Sequence, residues 1–228
     1  MCAHFEAVYN PERLRKTFGL SLPEGGRRDV WPAYPAAFIR YPRPLAAAPA
    51  TGEGDAPERE ALLGRFGLIP HWAKDASVAR HTYNARSETV ASKPSFRDAW
   101  RLGRRCIVPA EAIYEPDWRS GKAVPTRIVR ADGEPWALAG LWTGWRDATG
   151  AVQRSFTLLT VNADQHPFMK QFHQPNEEKR MVVALRAADF RTWLQAPLAE
   201  AAALVRASPA QDWQADAGQD AEPGAGAG

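Results

Sequence analysis

Cysteine is scarce in this chain: 228 residues contain two, Cys2 and Cys106. Two thiols cannot build a disulfide framework, and they fall short of the four clustered ligands at recognisable spacing that structural zinc needs. No metal site is expected, and the composition suits a reducing compartment. Long apolar runs are also missing. Residues 1–16 carry Glu6, Glu12, Arg13, Arg15 and Lys16 in place of the apolar stretch of a secretory leader. Nothing downstream approaches the ~18–20 consecutive apolar residues of a membrane-spanning helix. A cytoplasmic bacterial protein with no membrane partner is the expectation. Lysine is depleted too, with only 6 among 29 basic residues, the rest being arginine, and the net charge is just +3. Arginine pairs with phosphate and stacks on bases, which suits nucleic acid. A GC-rich coding sequence would produce the same bias, and a diffuse basic excess is a weaker footprint than a basic stripe.

The length is that of one domain with a sizeable core. Strand-like runs recur at Ala36–Arg40, Arg105–Val108, Thr126–Arg130, Trp136–Leu141 and Ser155–Thr160. Turn signals at Ala131-Asp132-Gly133-Glu134 and Asp147-Ala148-Thr149-Gly150 separate them, as antiparallel hairpins require. Helical patterns are fewer: Glu12–Phe18, Pro94–Leu102, Ala163–Phe172 and Ala187–Ala196. The prediction is an α+β domain over residues 2–207, built on a curved, mainly antiparallel sheet. Pro42–Glu60, rich in Pro, Ala and Gly, reads as a surface excursion. Residues 208–228, with Trp213 as the one apolar anchor, read as a disordered tail.

Cys2 is the residue that most narrows the chemistry. Removal of Met1 would leave its thiol and a free α-amine on neighbouring carbons, a pair that condenses with an aldehyde to a Schiff base and closes to a thiazolidine. Asn84-Ala85-Arg86-Ser87-Glu88 follows Tyr83 and sets an amide beside a guanidinium, able to hold a substrate oxygen and a phosphate. The same residues also serve as a solvated turn capping a helix. The strand from Arg104 leads into Glu111-Ala112-Ile113-Tyr114-Glu115, expected as a turn with two carboxylates. Glu115 is the candidate proton shuttle if desolvated, and otherwise an ordinary surface glutamate. His173, placed near the end of the third helical pattern, is a second proton carrier or a helix-end histidine; His166, followed by Pro167, is less attractive. Trp72, Lys74 and Trp118 are candidate base platforms and a phosphate contact, although core packing accounts for most of the 9 tryptophans.

Taken in order, Met1-Cys2, Gly67-Leu68-Ile69-Pro70-His71-Trp72, Asn84-Ala85-Arg86-Ser87-Glu88-Thr89, Arg105-Cys106-Ile107-Val108-Pro109-Ala110 with Tyr114-Glu115, Ala139-Gly140-Leu141-Trp142, and a late histidine before Arg180-Met181 resemble one family. This is the SRAP family, abasic-site processing proteins that shield damaged single-stranded DNA. The resemblance runs from Cys2 to about Leu194. It implies an α+β fold around a barrel-like antiparallel sheet, no cofactor, and single-stranded DNA containing abasic sites as partner, handled as a monomer. It assigns Cys2 as nucleophile, Asn84 and Arg86 as substrate-orienting and phosphate-binding, Glu115 as proton-transferring acid and His173 as its assistant. Lyase and self-peptidase activities come with the resemblance. The chain departs from the pattern at His4, a DNA-contact position usually held by arginine, and at Pro116, where tryptophan is usual. It departs again at Phe66, at Tyr34-Pro35-Ala36-Ala37, and in the residues inserted between His173 and Arg180. The same nucleophile also fits an N-terminal-nucleophile amidohydrolase acting on amides. The arginines and tryptophans alone would fit a non-enzymatic single-strand binding module.

Overall fold

The structure, a computed structural model, describes residues 2–21, 23–42 and 59–216. Most of the expected Pro42–Glu60 excursion therefore lies outside the described residues. The elements run β1 (His4–Ala7), α1 (Pro11–Phe18), β2 (Asp29–Val30), β3 (Pro35–Arg40), β4 (Glu60–Phe66), β5 (Asn84–Arg86), α2 (Arg97–Arg101), β6 (Arg105–Asp117), β7 (Val124–Arg130), β8 (Trp136–Arg146), β9 (Val152–Asn162), β10 (Arg180–Val182), α3 (Phe190–Gln195), α4 (Leu198–Ala202) and β11 (Trp213–Ala215). Short 3-10 turns lie at Ala76–His81, Met169–Gln171, Ala187–Asp189 and Ala210–Asp212.

Five strands close a barrel. β3 pairs antiparallel with β4, β4 runs parallel to β9, and β9, β8, β6 and β3 continue antiparallel until the ring is complete. Closure removes the exposed edges that an open sheet of this size would present. Inside, Phe38, Phe66 and Phe156 meet, with ring centroids 5.7 Å apart for Phe38–Phe156 and 5.5 Å for Phe66–Phe156. Ile107, Val108, Leu138 and Leu158 are fully buried with them. Each such side chain contributes about 1.5–3 kcal/mol on burial. The five predicted strands are all present and extended at one or both ends, β8 and β9 by the hairpin that joins them.

β6 is the organising element. Its first half lies in the barrel against β3 and β8, and its second half leaves the ring to pair with β1 and β7. Glu111–Glu115, expected as a turn, is therefore strand through Asp117, and this carries Glu115 into the interior. Glu111 stays near the surface, held by Arg13 through two 3.0 Å hydrogen bonds. After β4 the chain turns at Gly67, whose φ of +114° and position 1.9 Å from Ala79 O for any added Cβ leave no room for a side chain. That close approach lays the following loop on the barrel and delivers Tyr83 and Asn84 alongside β9.

Two expectations need correction. Ala163–Phe172 is a series of turns with one 3-10 segment, because Pro167 disfavours helical backbone at His166. Asn162 and His166 side chains also take up the local amides of Asp164 and Met169, each at 3.0 Å. His173 thus follows a 3-10 turn, not a helix. The second correction concerns the expected disordered tail, whose described part, 208–216, is built into the fold. β11 pairs with β7, and Trp213 is buried, stacked on Trp136 at 4.0 Å and bonded to Ser208 Oγ at 2.9 Å. A single tryptophan filling a core hollow outweighs the polar composition around it.

Candidate active site

Cys2 precedes β1, which is held against the second half of β6 with His4 opposite Tyr114. This register brings the first described residue of the chain to the place where β6 emerges from the barrel. The Cys2 side chain is buried, and its Sγ lies 3.5 Å from the carbonyl of His4. Burial, followed by the charge of nearby Glu115, holds the thiol far above its ordinary pKa, so it is a neutral S–H.

Asn84 fixes the backbone of this residue. It is carried by β5, which runs parallel to β9, and its Nδ2 donates to Cys2 O at 2.7 Å. Its other atom, Oδ1, is buried with no hydrogen-bond partner among the described residues. An acceptor left in this state is costly unless a ligand hydroxyl or amine completes it.

Glu115 and His173 form a second pair. Glu115 is 1% exposed and His173 4%. His173 Nδ1 lies 3.1 Å from Glu115 Oε2, and its Nε2 lies 2.9 Å from the carbonyl of Arg180. A carbonyl only accepts, so Nε2 carries hydrogen and Nδ1 is the atom that faces the carboxyl group. His173 adopts a left-handed backbone, φ +66°, and its N–H donates to Pro116 O at 2.9 Å. Left-handed backbone costs a non-glycine residue roughly 1–2 kcal/mol, a strain that recurs at functional sites. Here it turns the imidazole onto the end of β6.

Tyr83 belongs to the same group, although its sequence position marked it only as an aromatic lead-in. Its hydroxyl is held above the ordinary phenol pKa by burial first, with Glu115 near enough to add to the effect. Its ring packs edge-on against Phe66 at 5.8 Å, and Phe66 in turn meets Phe5 of β1 at 5.2 Å. The barrel core thereby sets the position of the phenol.

The remaining predicted residues lie outward. Arg86 is half-exposed and ion-paired with Glu178 at 3.0 Å. Trp72 is exposed, its Nε1 3.4 Å from Pro94 O, and Lys74 is exposed two residues later. Trp118 is half-buried just after β6. His4 is sandwiched, with Trp31 on one face and Tyr114 on the other, both centroids at 4.1 Å, and its Nε2 is 3.2 Å from Asp29 Oδ1. Burial lowers its pKa despite the opposing hydrogen bond and charge of Asp29, which favours the neutral ring. Trp31, exposed at the end of this stack, was not singled out in the sequence. Its pairing with His4 depends on β2 folding beside β1, which no local pattern announced.

No helix among the described residues is long and apolar enough to cross a membrane. A crystal structure of a protein from Bordetella bronchiseptica superposes with a TM-score of 0.84 at 43% identity, covering 96% of this chain and all of that one. A second, from Bacteroides thetaiotaomicron, shares the fold with a TM-score of 0.70 at 23% identity, covering 94% of this chain and 90% of its own. Among curated relatives, the abasic site processing protein YoaM of Bacillus subtilis (strain 168) is 36% identical over 133 residues, 57% of this chain and 54% of that protein. The abasic site processing protein HMCES of Xenopus tropicalis is 25% identical over 199 residues, 72% of this chain and 59% of that protein. The chain spans somewhat over half the length of these curated relatives. The sequence model of the SOS response associated peptidase (SRAP) family matches residues 1–217, and the chain belongs to that family.

Proposed function

We propose that this protein binds single-stranded DNA at abasic sites and captures the ring-opened sugar aldehyde covalently through Cys2. The observation that carries the reading is what surrounds Cys2. Asn84 holds its carbonyl, the charge of Glu115 acts on its buried thiol, and His173 Nδ1 lies against Glu115.

In the chain as encoded, the nitrogen of Cys2 is a peptide amide and cannot attack. Once Met1 is removed it becomes an amine with an ordinary pKa near ~8, partly unprotonated at neutral pH. The amine adds to the aldehyde carbon, and the carbinolamine takes up one proton and loses water, giving a protonated imine; the proton is returned when the thiol closes the ring. The thiol sulfur then adds to that same carbon, its proton leaves, and the five-membered thiazolidine closes with the nitrogen neutral. One water is released overall. Because the buried thiol is neutral, ring closure needs a proton acceptor at Sγ; Glu115, whose charge acts on that thiol, is the group proposed for it. His173 accepts or returns the proton through its contact with Glu115. Asn84 Oδ1 is suited to receive the sugar hydroxyl freed when the ring opens. Arg86 and Lys74 would meet backbone phosphates, with Trp72 and Trp118 beneath bases and the His4 stack supporting Trp31. No cofactor enters these steps.

The test is incubation of the mature protein with a single-stranded oligonucleotide bearing one abasic site, followed by denaturing electrophoresis. A denaturant-stable adduct that is lost in Cys2→Ala, and lost when Met1 removal is blocked, is the expected result. An adduct that survives both changes, or none from the wild type, sinks the reading. Acyl-enzyme formation on an amide without DNA would point instead to an amidohydrolase.

A further inference from the structure

Arg86, the residue assigned to phosphate, is already occupied by a carboxylate of the same chain. Glu178 Oε2 lies 3.0 Å from Arg86 Nη1. The other oxygen, Oε1, accepts from Arg180 Nη1 at 2.8 Å and from Asn162 Nδ2 at 3.3 Å. Two anionic oxygens bridging two guanidinium groups is also the arrangement in which a phosphodiester is held.

The two arginines are not equivalent. Arg180 is buried and doubly bonded to Glu88, at 3.0 and 2.9 Å, with Thr160 O at 2.8 Å beneath it. Its position does not depend on Glu178, and it anchors Glu178 from one side. Arg86 is half-exposed and extends from the short strand β5, so it is the partner able to swing away. Glu178 is strongly held in its ionised form, first by Arg180 and also by Arg86.

We propose, resting on the reading of Arg86 as a phosphate ligand, that Glu178 is a specificity-determining residue: an internal phosphate mimic that occupies Arg86 in the free protein and is exchanged for a DNA backbone phosphate on binding. Because Arg180 and Asn162 hold Glu178 in place, it stays poised to retake Arg86, and a backbone phosphate must displace it to bind. Undamaged DNA is thereby held weakly and released, while an abasic strand is retained by the covalent bond.

The probe is a fluorescein-labelled, undamaged single-stranded oligothymidylate, titrated by anisotropy at several salt concentrations. Glu178→Gln keeps an oxygen for Arg180 and Asn162 but removes the charge. It is expected to bind about two- to fivefold more tightly at low salt, the scale of an exposed ion pair, and to steepen the salt dependence by about 0.7 in log–log slope. Arg86→Ala should weaken binding, and in that background Glu178→Gln should add nothing. If Arg86→Ala binds less well but Glu178→Gln matches or falls below wild type, the mimic is wrong while the DNA reading stands. An equal gain in both backgrounds means that Glu178 acts as a general charge, which also overturns the proposal. If Arg86→Ala binds like wild type, Arg86 is no phosphate ligand and the premise itself fails.

Discussion

His173 Nδ1 and Glu115 Oε2 are 3.1 Å apart at the end of β6, and both side chains are almost wholly buried. A carboxyl group and an imidazole in contact and out of water, near a buried thiol, are not a surface ion pair. Removing one member while leaving the other would expose a buried group without its partner, which typically costs 3–5 kcal/mol. Isosteric changes are therefore the informative ones.

Glu115→Gln retains a hydrogen-bonding group against His173 but cannot accept a proton. Crosslink formation on an abasic oligonucleotide is expected to slow by about 100-fold or more, the usual worth of a positioned acid–base group. A quenched time course on denaturing gels measures this, and a rate within threefold of wild type would remove Glu115 from the mechanism.

Asn84 acts through a donor, Nδ2, on the Cys2 carbonyl. Alanine deletes the donor, whereas aspartate sets a second acceptor against that carbonyl. The crosslinking rate is expected to fall about tenfold or more for Asn84→Ala and further for Asn84→Asp, in line with the penalty of an unmade buried hydrogen bond. The reverse order would show that Asn84 does not position Cys2.

Both cysteine thiols are buried, and both have pKa values raised by that burial, with the Glu115 charge adding at Cys2. Thiolate is the reactive form, so neither should be alkylated by iodoacetamide in the folded protein at pH 7.5, and moving to pH 9 should change little. Mass spectrometry should count no alkylated cysteine in the native protein and two in urea. Rapid native modification of Cys2 would contradict its burial.

His4 has a pKa lowered below its ordinary value of 6.5 by burial between Trp31 and Tyr114, with Asp29 and Glu6 opposing. The unfolded chain then binds the proton more readily than the folded one. Stability from this residue is present above 6.5 and is lost as pH falls from there toward the folded value. His4→Phe keeps an aromatic ring in the stack and removes the titration. The drop in urea midpoint between pH 7.5 and pH 5.5 should be smaller in His4→Phe than in wild type, and an equal or larger drop would show that the ring is not held neutral.

Trp213 and its short strand close the far end of the domain. Trp213→Ala leaves Trp136 without its stacking partner and is expected to lower stability by about 3–5 kcal/mol, as buried tryptophan losses do. Truncation after residue 207 should cost at least as much, since it also removes the pairing with β7. Denaturant unfolding checks both, and a truncated chain as stable as the full one would mean that 208–216 is dispensable.

The sequence foretold the barrel strands and the four chemical groups unevenly, and the reasons differ by residue. Alternating β-branched and aromatic runs are local, so the strands at Ala36–Arg40 and Ser155–Thr160 could be placed directly. The three-residue strand Asn84–Arg86 could not, because only its pairing with Leu158–Thr160 makes it a strand. Glu115 was equally compatible with the surface until β1 and β7 were seen to flank it. Tyr83, Trp31 and Glu178 went unselected because their significance lies in partners 27 to 92 residues away: Cys2 and Glu115 for Tyr83, His4 and Tyr114 for Trp31, Arg86 for Glu178.

What the sequence determined by itself was covalent: a thiol and, after loss of Met1, an amine on adjacent carbons of Cys2, which restricts the electrophiles it can trap. Nothing about folding alters that. Tertiary structure decided the protonation and aim of these groups, because desolvation and charge act over a few ångströms of space and not along the chain. It buried the thiol in its neutral form, brought His173 against Glu115 at the end of β6, and placed Glu178 on the arginine proposed to receive DNA.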